Sequence, residues 1–322
     1  MRNNPLVSIA IPVYKSEFLS ETIESALNQS YKNIELLIVN DCSPQNIDSI
    51  VQRYMDDPRL HYYKNEKNIG SKDPAANWNK CLSYAKGDFF SLLCDDDVYA
   101  PTFIEKMLCL ANKYAETNVF RARVKLVDNK GALKNLFPSA PEWESAIDYM
   151  WAIVSSYRLQ TISEFMYRTD YIKQQGGYIS LPKAWCSDHA SIIKLAKNGG
   201  IATCNELLVQ FRMSGLNIST SNSKYIREKV NAQVRYTKLI GQLLVDETEE
   251  MRNLILNIRG NKIRDIMTQY LVNANIKDFV YLYGKRNTEE YKIPSRCFTR
   301  ALNNKIAKFI KKCSAIRKNS CQ

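Results

Sequence analysis

Histidine is nearly absent: His61 and His189 are the only two in 322 residues. Two imidazoles exclude most His-based catalytic and metal sites, so any metal work falls to carboxylates. Nine cysteines stand singly with no CxxC pair, which argues against a zinc ribbon or a disulfide scaffold and fits a reduced, cytosolic compartment. No apolar run approaches the ~20 residues that span a bilayer. Arg2 is followed by Asn3, Asn4 and Pro5 with no apolar h-region, so no signal peptide is expected. The expectation is a cytoplasmic chain, soluble or peripheral at the inner face of the cell membrane. Internal repeats and low-complexity segments are also missing.

Acidic residues are missing from one stretch. Residues 291–322 hold nine Lys and Arg and no Asp or Glu, so of the net charge of +12 only +3 belongs to the chain before them. The body is near neutral and the basic character sits in the tail. At roughly 150 residues per domain, the length suits one large domain with an extension, or two domains.

What is present is a strand–helix alternation. Short apolar runs at Val7–Val13, Ile34–Val39, Leu60–Tyr63 and Phe89–Cys94 predict buried strands. Helical spacing links Leu19, Ile23, Ala26 and Leu27, and Ile104, Met107, Leu108 and Ala111. Asp73-Pro74 predicts a capped helix start, Gly87 its stop, and Thr102 with Glu105 a capping box. This order predicts right-handed βαβ units in an α/β fold with a mostly parallel sheet, whose ligands bind at the carboxyl ends of strands. Strands over 119–127 and 201–211 follow, then helical, polar sequence after Ser223, with Leu254, Ile255, Ile258, Ile266 and Tyr270 as core candidates.

Two strand ends carry acid. Asp95-Asp96-Asp97 directly follows a buried strand. Adjacent carboxylates repel, and hard oxygen ligands select Mg²⁺ or Mn²⁺; a solvated turn capping the next helix is the structural alternative. Asp41 ends the second strand and would serve alone as an Asx turn. Asp188 begins a helix and, on local sequence, is either a cap or a catalytic acid–base group.

These segments together resemble glycosyltransferase family 2 enzymes of the GT-A fold, over roughly residues 5–220. The resemblance rests on Val7-Ser8-Ile9-Ala10-Ile11-Pro12-Val13-Tyr14, Ser25-Ala26-Leu27-Asn28-Gln29-Ser30-Tyr31 and Glu35-Leu36-Leu37-Ile38-Val39-Asn40-Asp41. It continues through Asn65-Glu66-Lys67-Asn68-Ile69-Gly70, Ala85-Lys86-Gly87-Asp88 and Leu93-Cys94-Asp95-Asp96-Asp97 with Pro101. It implies a catalytic domain over 1–220, with a nucleotide-binding half over about 1–115 and an acceptor half over about 116–220. A helical extension over 221–322 would follow, ending in a basic amphipathic segment. Pro12, Val13 and Tyr14 would line the base pocket, Asp41 would accept from the base imide N–H, Asp95 would contact the ribose, and Asp96 would bind Mn²⁺ or Mg²⁺. Asp188 would be the catalytic base, with Lys72, Asp97 and Arg212 as accessory residues. The chain departs from the family pattern at three places. Asp-x-Asp becomes Cys94-Asp95-Asp96, Glu-Asp becomes Ser187-Asp188, and Arg-x-His becomes Arg212-Met213-Ser214.

The implied partners are a nucleotide-sugar donor, UDP-linked by expectation, and a glycan or lipid-linked glycan acceptor in cell-surface polysaccharide synthesis. The implied reaction inverts the anomeric centre. In the tail, Phe298, Leu302, Ile306, Phe309, Cys313 and Ile316 recur at helical spacing among lysines. That pattern suits peripheral attachment to an anionic membrane through 295–318, or a helix packed on the body. Two other functions remain readable: a nucleotide-sugar-binding protein without catalysis, and a basic nucleic-acid-binding protein. The near-neutral body argues against the second, and no nucleic-acid partner is expected.

Overall fold

The computed structural model describes residues 4–213, 215 and 223–319, with side chains given up to 308 and at 310. Seven helices and ten strands precede residue 214 among the described residues. They are β1 (Val7–Val13), α1 (Leu19–Leu27), β2 (Ile34–Asn40), α2 (Ile47–Gln52), β3 (Leu60–Lys64), α3 (Pro74–Tyr84), β4 (Phe89–Leu92), β5 (Val98–Tyr99) and α4 (Phe103–Lys113). Then come β6 (Val119–Asp128), β7 (Leu133–Leu136), β8 (Trp143–Glu144), α5 (Ala146–Val154), β9 (Phe165–Arg168), α6 (Thr169–Gln174), α7 (Ser187–Ala196) and β10 (Ile201–Met213). The chain divides into two compact units, residues 1–217 and 218–322.

In the first unit one sheet runs β3-β2-β1-β4-β9-β6-β10-β5, with β7 beside β6 and β8 beside β10. β1, β2, β3 and β4 are mutually parallel. β1 and β2 are apolar along nearly their whole length because both their faces are covered. β9 turns the direction, pairing antiparallel with both β4 and β6, and β10 runs parallel to β6. The parallel character is therefore strongest in the first half.

The order places β2 on one side of β1 and β4 on the other. Chain connections leave these two strands in opposite directions, and that switch point opens a crevice at their carboxyl ends.

Local chemistry explains the flanking elements, with two corrections. Asp73 caps α3 through Ala76 N, 3.2 Å, with Pro74 in the first turn. The helix ends at Tyr84, however, and Gly87 serves close packing instead of stopping it. A Cβ there would lie 2.7 Å from Leu6 O and Ser8 N, so only glycine lets β4 start beside β1. Buried Glu35 accepts from Lys86 N, 2.7 Å, and Ser8 Oγ, 2.5 Å, while Asp88 accepts from Leu6 N, 2.9 Å. Thr102 makes no side-chain cap; Glu105 instead accepts from Ser30 Oγ, 2.7 Å.

The second unit contains α8 (Ile226–Leu243), α9 (Glu249–Asn273), α10 (Ile276–Lys285) and α11 (Ser295–Asn319). Its core joins Ile226, Val230, Met267, Leu271, Leu282, Cys297, Phe298 and Ala301. On α9, Ile255 is buried as expected, but Leu254 is exposed, and Arg259, Met267 and Leu271 take the remaining inward positions. Phe298 packs edge-on against Phe279 and Tyr283, so the first turns of α11 are structural. Leu302 and Ile306 stay about half exposed on the same helix. The side chains of Phe309, Lys311, Lys312, Cys313 and Ile316 lie outside those described.

Candidate active site

The turn after β4 sits against the loop after β1, and the three carboxylates face different ways. Asp95 Oδ2 accepts from Tyr14 N, 2.9 Å, and Lys15 N, 2.7 Å, which fixes the end of β1 over the turn. Asp96 faces the Lys15 ammonium, which also lies 3.1 Å from Asp95 Oδ1. Asp97 points inward: Oδ2 accepts from Ser163 Oγ, 2.6 Å, and Oδ1 from Arg212 N, 3.0 Å. Burial pushes Asp97 up to about 8, with the neighbouring Asp96 charge adding to it. Burial also raises Asp95, with Lys15 opposing. For Lys15 burial works against the charge, yet Asp95 and Asp96 outweigh it and hold the lysine above its ordinary value.

Among the described residues no group of three Asp, Glu, His or Cys side chains converges to hold a metal. The carboxylate of Asp96 is a hard oxygen donor of the kind that would suit a divalent ion such as Mg²⁺ or Mn²⁺.

Asp41 lies at the end of β2, which runs beside β1, and is buried. Its carboxylate accepts from Asn65 Nδ2, 2.8 Å, Ile69 N, 2.8 Å, and Gly70 N, 2.7 Å. Three of roughly four acceptor positions of a carboxylate are thus used to fold the 65–70 loop. Pro12 and Val13 close the end of β1, and the exposed Tyr14 ring stands beside them. Lys72 is exposed on the loop after Gly70.

The other wall comes from the second half of the first unit. A 3₁₀ turn, Ile162–Glu164, carries Ser163, which receives Cys94 N at 3.1 Å besides donating to Asp97. Glu164 pairs with Arg121 at 2.6 Å, both fully buried. Burial pushes Glu164 up to about 7; Arg121 only partly offsets this, and the Asp188 charge adds to the rise. Asp188 is thereby near this turn. It occupies the first turn of α7, half-buried, and among the described residues no hydrogen bond holds its carboxylate. It is not the cap of that helix, a position held by Cys186 in left-handed backbone, φ 65°. Ser187, where the family pattern has Glu, is buried and structural: its Oγ accepts from Leu181 N, 3.0 Å, and its carbonyl from Ser191 Oγ, 2.5 Å. Arg212, next to last in β10, has its guanidinium buried, donating to Asp96 O, 3.1 Å, and Glu21 Oε2, 2.5 Å. Ser214 lies outside the described residues.

The family model of glycosyl transferase family 2 matches residues 8–162. TuaG of Bacillus subtilis, a glycosyltransferase named for teichuronic acid biosynthesis, is 30% identical over 224 residues, covering 68% of this chain and 84% of that protein. The chain belongs to glycosyl transferase family 2. An uncharacterized glycosyltransferase of Rickettsia typhi is 39% identical over 129 residues, 39% of each chain, so the match spans about two fifths of that relative. Among solved structures, Staphylococcus aureus TarS 1-349 in complex with UDP-GlcNAc superimposes with a TM-score of 0.64 at 16% identity, covering 97% of this chain and 92% of that one. The mannosyltransferase of Pyrobaculum calidifontis in complex with GDP-Man and Mn²⁺ gives 0.56 at 13% identity, covering 95% and 88%. At such identities the likeness is one of fold, and that fold is GT-A.

Within this family-2 chain the structure gathers Tyr14, Asp95, Asp96, Asp97 and Arg212 around one turn, with Asp41 two strands from β4. Sequence reasoning passed over Lys15, Ser163, Glu164 and Arg121. Lys15 carried a faint signal, a lysine in the first loop after a parallel strand. The others carried none, since their partners are 43 and 66 residues away.

Proposed function

We propose that this chain is an inverting glycosyltransferase that moves a sugar from a nucleoside-diphosphate donor to a hydroxyl of a glycan or lipid-linked glycan, in cell-surface polysaccharide synthesis. One observation carries the reading. The acidic turn, the Asp41 loop and the exposed Tyr14 ring meet at the carboxyl ends of β1, β2 and β4, astride the switch point of the sheet. The UDP-GlcNAc bound by TarS and the GDP-Man and Mn²⁺ bound by the Pyrobaculum calidifontis mannosyltransferase support a nucleotide-sugar donor and a divalent ion. UDP is the donor nucleotide we favour.

Pro12, Val13 and Tyr14 bind the base, Asp41 reads its imide N–H with the acceptor position left to it, and Asp95 holds the ribose. Asp96 would hold Mn²⁺ or Mg²⁺, which when bound would supply neutralisation of the charge that develops on the departing diphosphate. Asp188 takes the proton of the acceptor hydroxyl as its oxygen attacks the anomeric carbon and the sugar–phosphate bond breaks. A single displacement of this kind inverts that carbon. Asp97 and Arg212 keep the turn in place, and Lys72 remains an accessory contact to phosphate. Trp151 on α5 and Tyr157 just after it stack with centroids 5.2 Å apart and stand exposed, and α5 packs on α7. A paired aromatic surface there suits the sugar ring of a glycan acceptor. The Leu302 and Ile306 stripe with its lysines supports attachment to the anionic inner face of the membrane.

The test is turnover of a UDP- and GDP-sugar panel by wild type, Asp96→Ala and Asp188→Asn. Asp96→Ala, and wild type in excess EDTA, should lose turnover. Asp188→Asn should keep donor binding and lose transfer. Full activity under EDTA removes the metal, an active Asp188→Asn removes the base, and a wild type that binds donors without turnover is a nucleotide-sugar-binding protein instead.

A further inference from the structure

The Lys15 ammonium sits on the acidic turn that follows β4. It contacts Asp95 Oδ1 at 3.1 Å and Asp96 Oδ2 at hydrogen-bonding range. The two carboxylates are 6% and 3% exposed and the lysine 20%, so the contact is shielded from bulk water. Lys15 is also tethered at its backbone, because its own N–H donates to Asp95 Oδ2 at 2.7 Å. Its backbone and its ammonium therefore grip the same acidic turn.

Asp97 does not share in this. Its oxygens are committed to Ser163 Oγ and Arg212 N, so the ammonium is left to Asp95 and Asp96. A divalent ion seeking Asp96 meets a carboxylate already paired with an ammonium that it shares with Asp95. Displacing that ammonium strands it beside the incoming ion, with like charges at short range in a shielded setting. A nucleoside diphosphate changes the balance, since its oxygens ligate the ion and offer the released lysine a new anionic partner.

We propose that Lys15 is a resident counter-cation that excludes divalent metal from Asp96 until a nucleoside diphosphate arrives with it. Metal and nucleotide then bind this chain in strong synergy, and Lys15 transfers from the acidic turn to the diphosphate. The inference rests on the donor and metal reading above and adds an order of assembly to it.

The experiment measures Mn²⁺ binding directly, from the electron paramagnetic resonance signal of free aquo-Mn²⁺, with and without UDP and, in parallel, GDP. Wild type, Lys15→Gln, Lys15→Met and Lys15→Arg are compared, each checked for folding by circular dichroism. Wild type should bind Mn²⁺ weakly alone and at least tenfold more tightly with UDP or GDP. Lys15→Gln and Lys15→Met should bind Mn²⁺ alone at least tenfold more tightly than wild type, and the gain from nucleotide should shrink. Lys15→Arg keeps the charge and should behave as wild type, which separates lost charge from disturbed folding. If nucleotide strengthens Mn²⁺ binding in wild type but neither neutral variant binds Mn²⁺ alone more tightly, the lysine does not guard the site and the inference is wrong. If no protein binds Mn²⁺ even with nucleotide, the metal reading fails, and this one with it.

Discussion

At the scale of single residues, the site is surrounded by buried charge whose cost depends on pH. Glu164 is the clearest case, a fully buried carboxyl beside Arg121 with its proton affinity raised to about 7 from 4.5. Because the folded value lies above the unfolded one, the native state binds more protons between these limits. The stability this group contributes is present in full below about 4.5 and is lost as pH rises through about 7. Glu164→Gln removes the titration, so wild type should lose up to about 3 kcal/mol relative to the variant between pH 4.5 and 8. Urea unfolding of both proteins across this range checks it; a difference independent of pH would show that Glu164 stays ionised throughout.

At the scale of elements, the loop over 65–70 is organised by one carboxylate. Asp41 accepts three N–H groups from it, two from the backbone of Ile69 and Gly70. Gly70 is as tightly placed as Asp41, since a Cβ on it would fall 2.8 Å from Asp41 Oδ2. Gly70→Ala must therefore push the carboxylate or the loop aside. Asp41→Ala leaves two backbone N–H groups without their acceptor, a loss of about 1–3 kcal/mol of stability. Both variants should also weaken UDP binding more than they lower turnover at saturating donor, because base recognition is remote from the bond being broken. Calorimetric titration with UDP, run beside thermal melts, separates the two effects. Unchanged UDP affinity in a destabilised Asp41→Ala would make Asp41 a loop organiser alone.

At the scale of the whole molecule, the basic end divides into two parts with different physics. Cys297, Phe298 and Ala301 belong to the core of the helical unit, so deleting residues 295–322 should destabilise that unit. Deleting 303–322 spares this core and removes Ile306, Lys305, Lys308 and the cations beyond. Each surface-bound Lys or Arg adds about 1 kcal/mol on an anionic leaflet. The 303–322 deletion should thus abolish sedimentation with phosphatidylserine-rich vesicles at low salt while leaving donor hydrolysis intact, since all proposed catalytic residues precede Met213. Sedimentation that survives this deletion, or that ignores added salt, would overturn the membrane reading.

The sequence alone determined the elements whose signals are local. Apolar runs of four to seven residues became β1, β2 and β4 because such runs must be buried on both faces, and Asp41 and Asp95–Asp97 were visible as acid at strand ends. The family pattern led to the proposals for Asp188 and for a nucleotide-binding first half, and the likeness to TuaG established the family. What only the tertiary structure decided was pairing at long range. Lys15 on Asp95 and Asp96, Ser163 and Arg212 on Asp97, and Arg121 on Glu164 are each brought together by sheet order. Gly87 showed the same division: a helix stop by local rules, a close contact between strands in the fold. Local periodicity reports which face of a segment avoids water. Which charge will meet which across 40 to 115 residues depends on the order of strands in the sheet, and that order is set by packing summed over the whole domain.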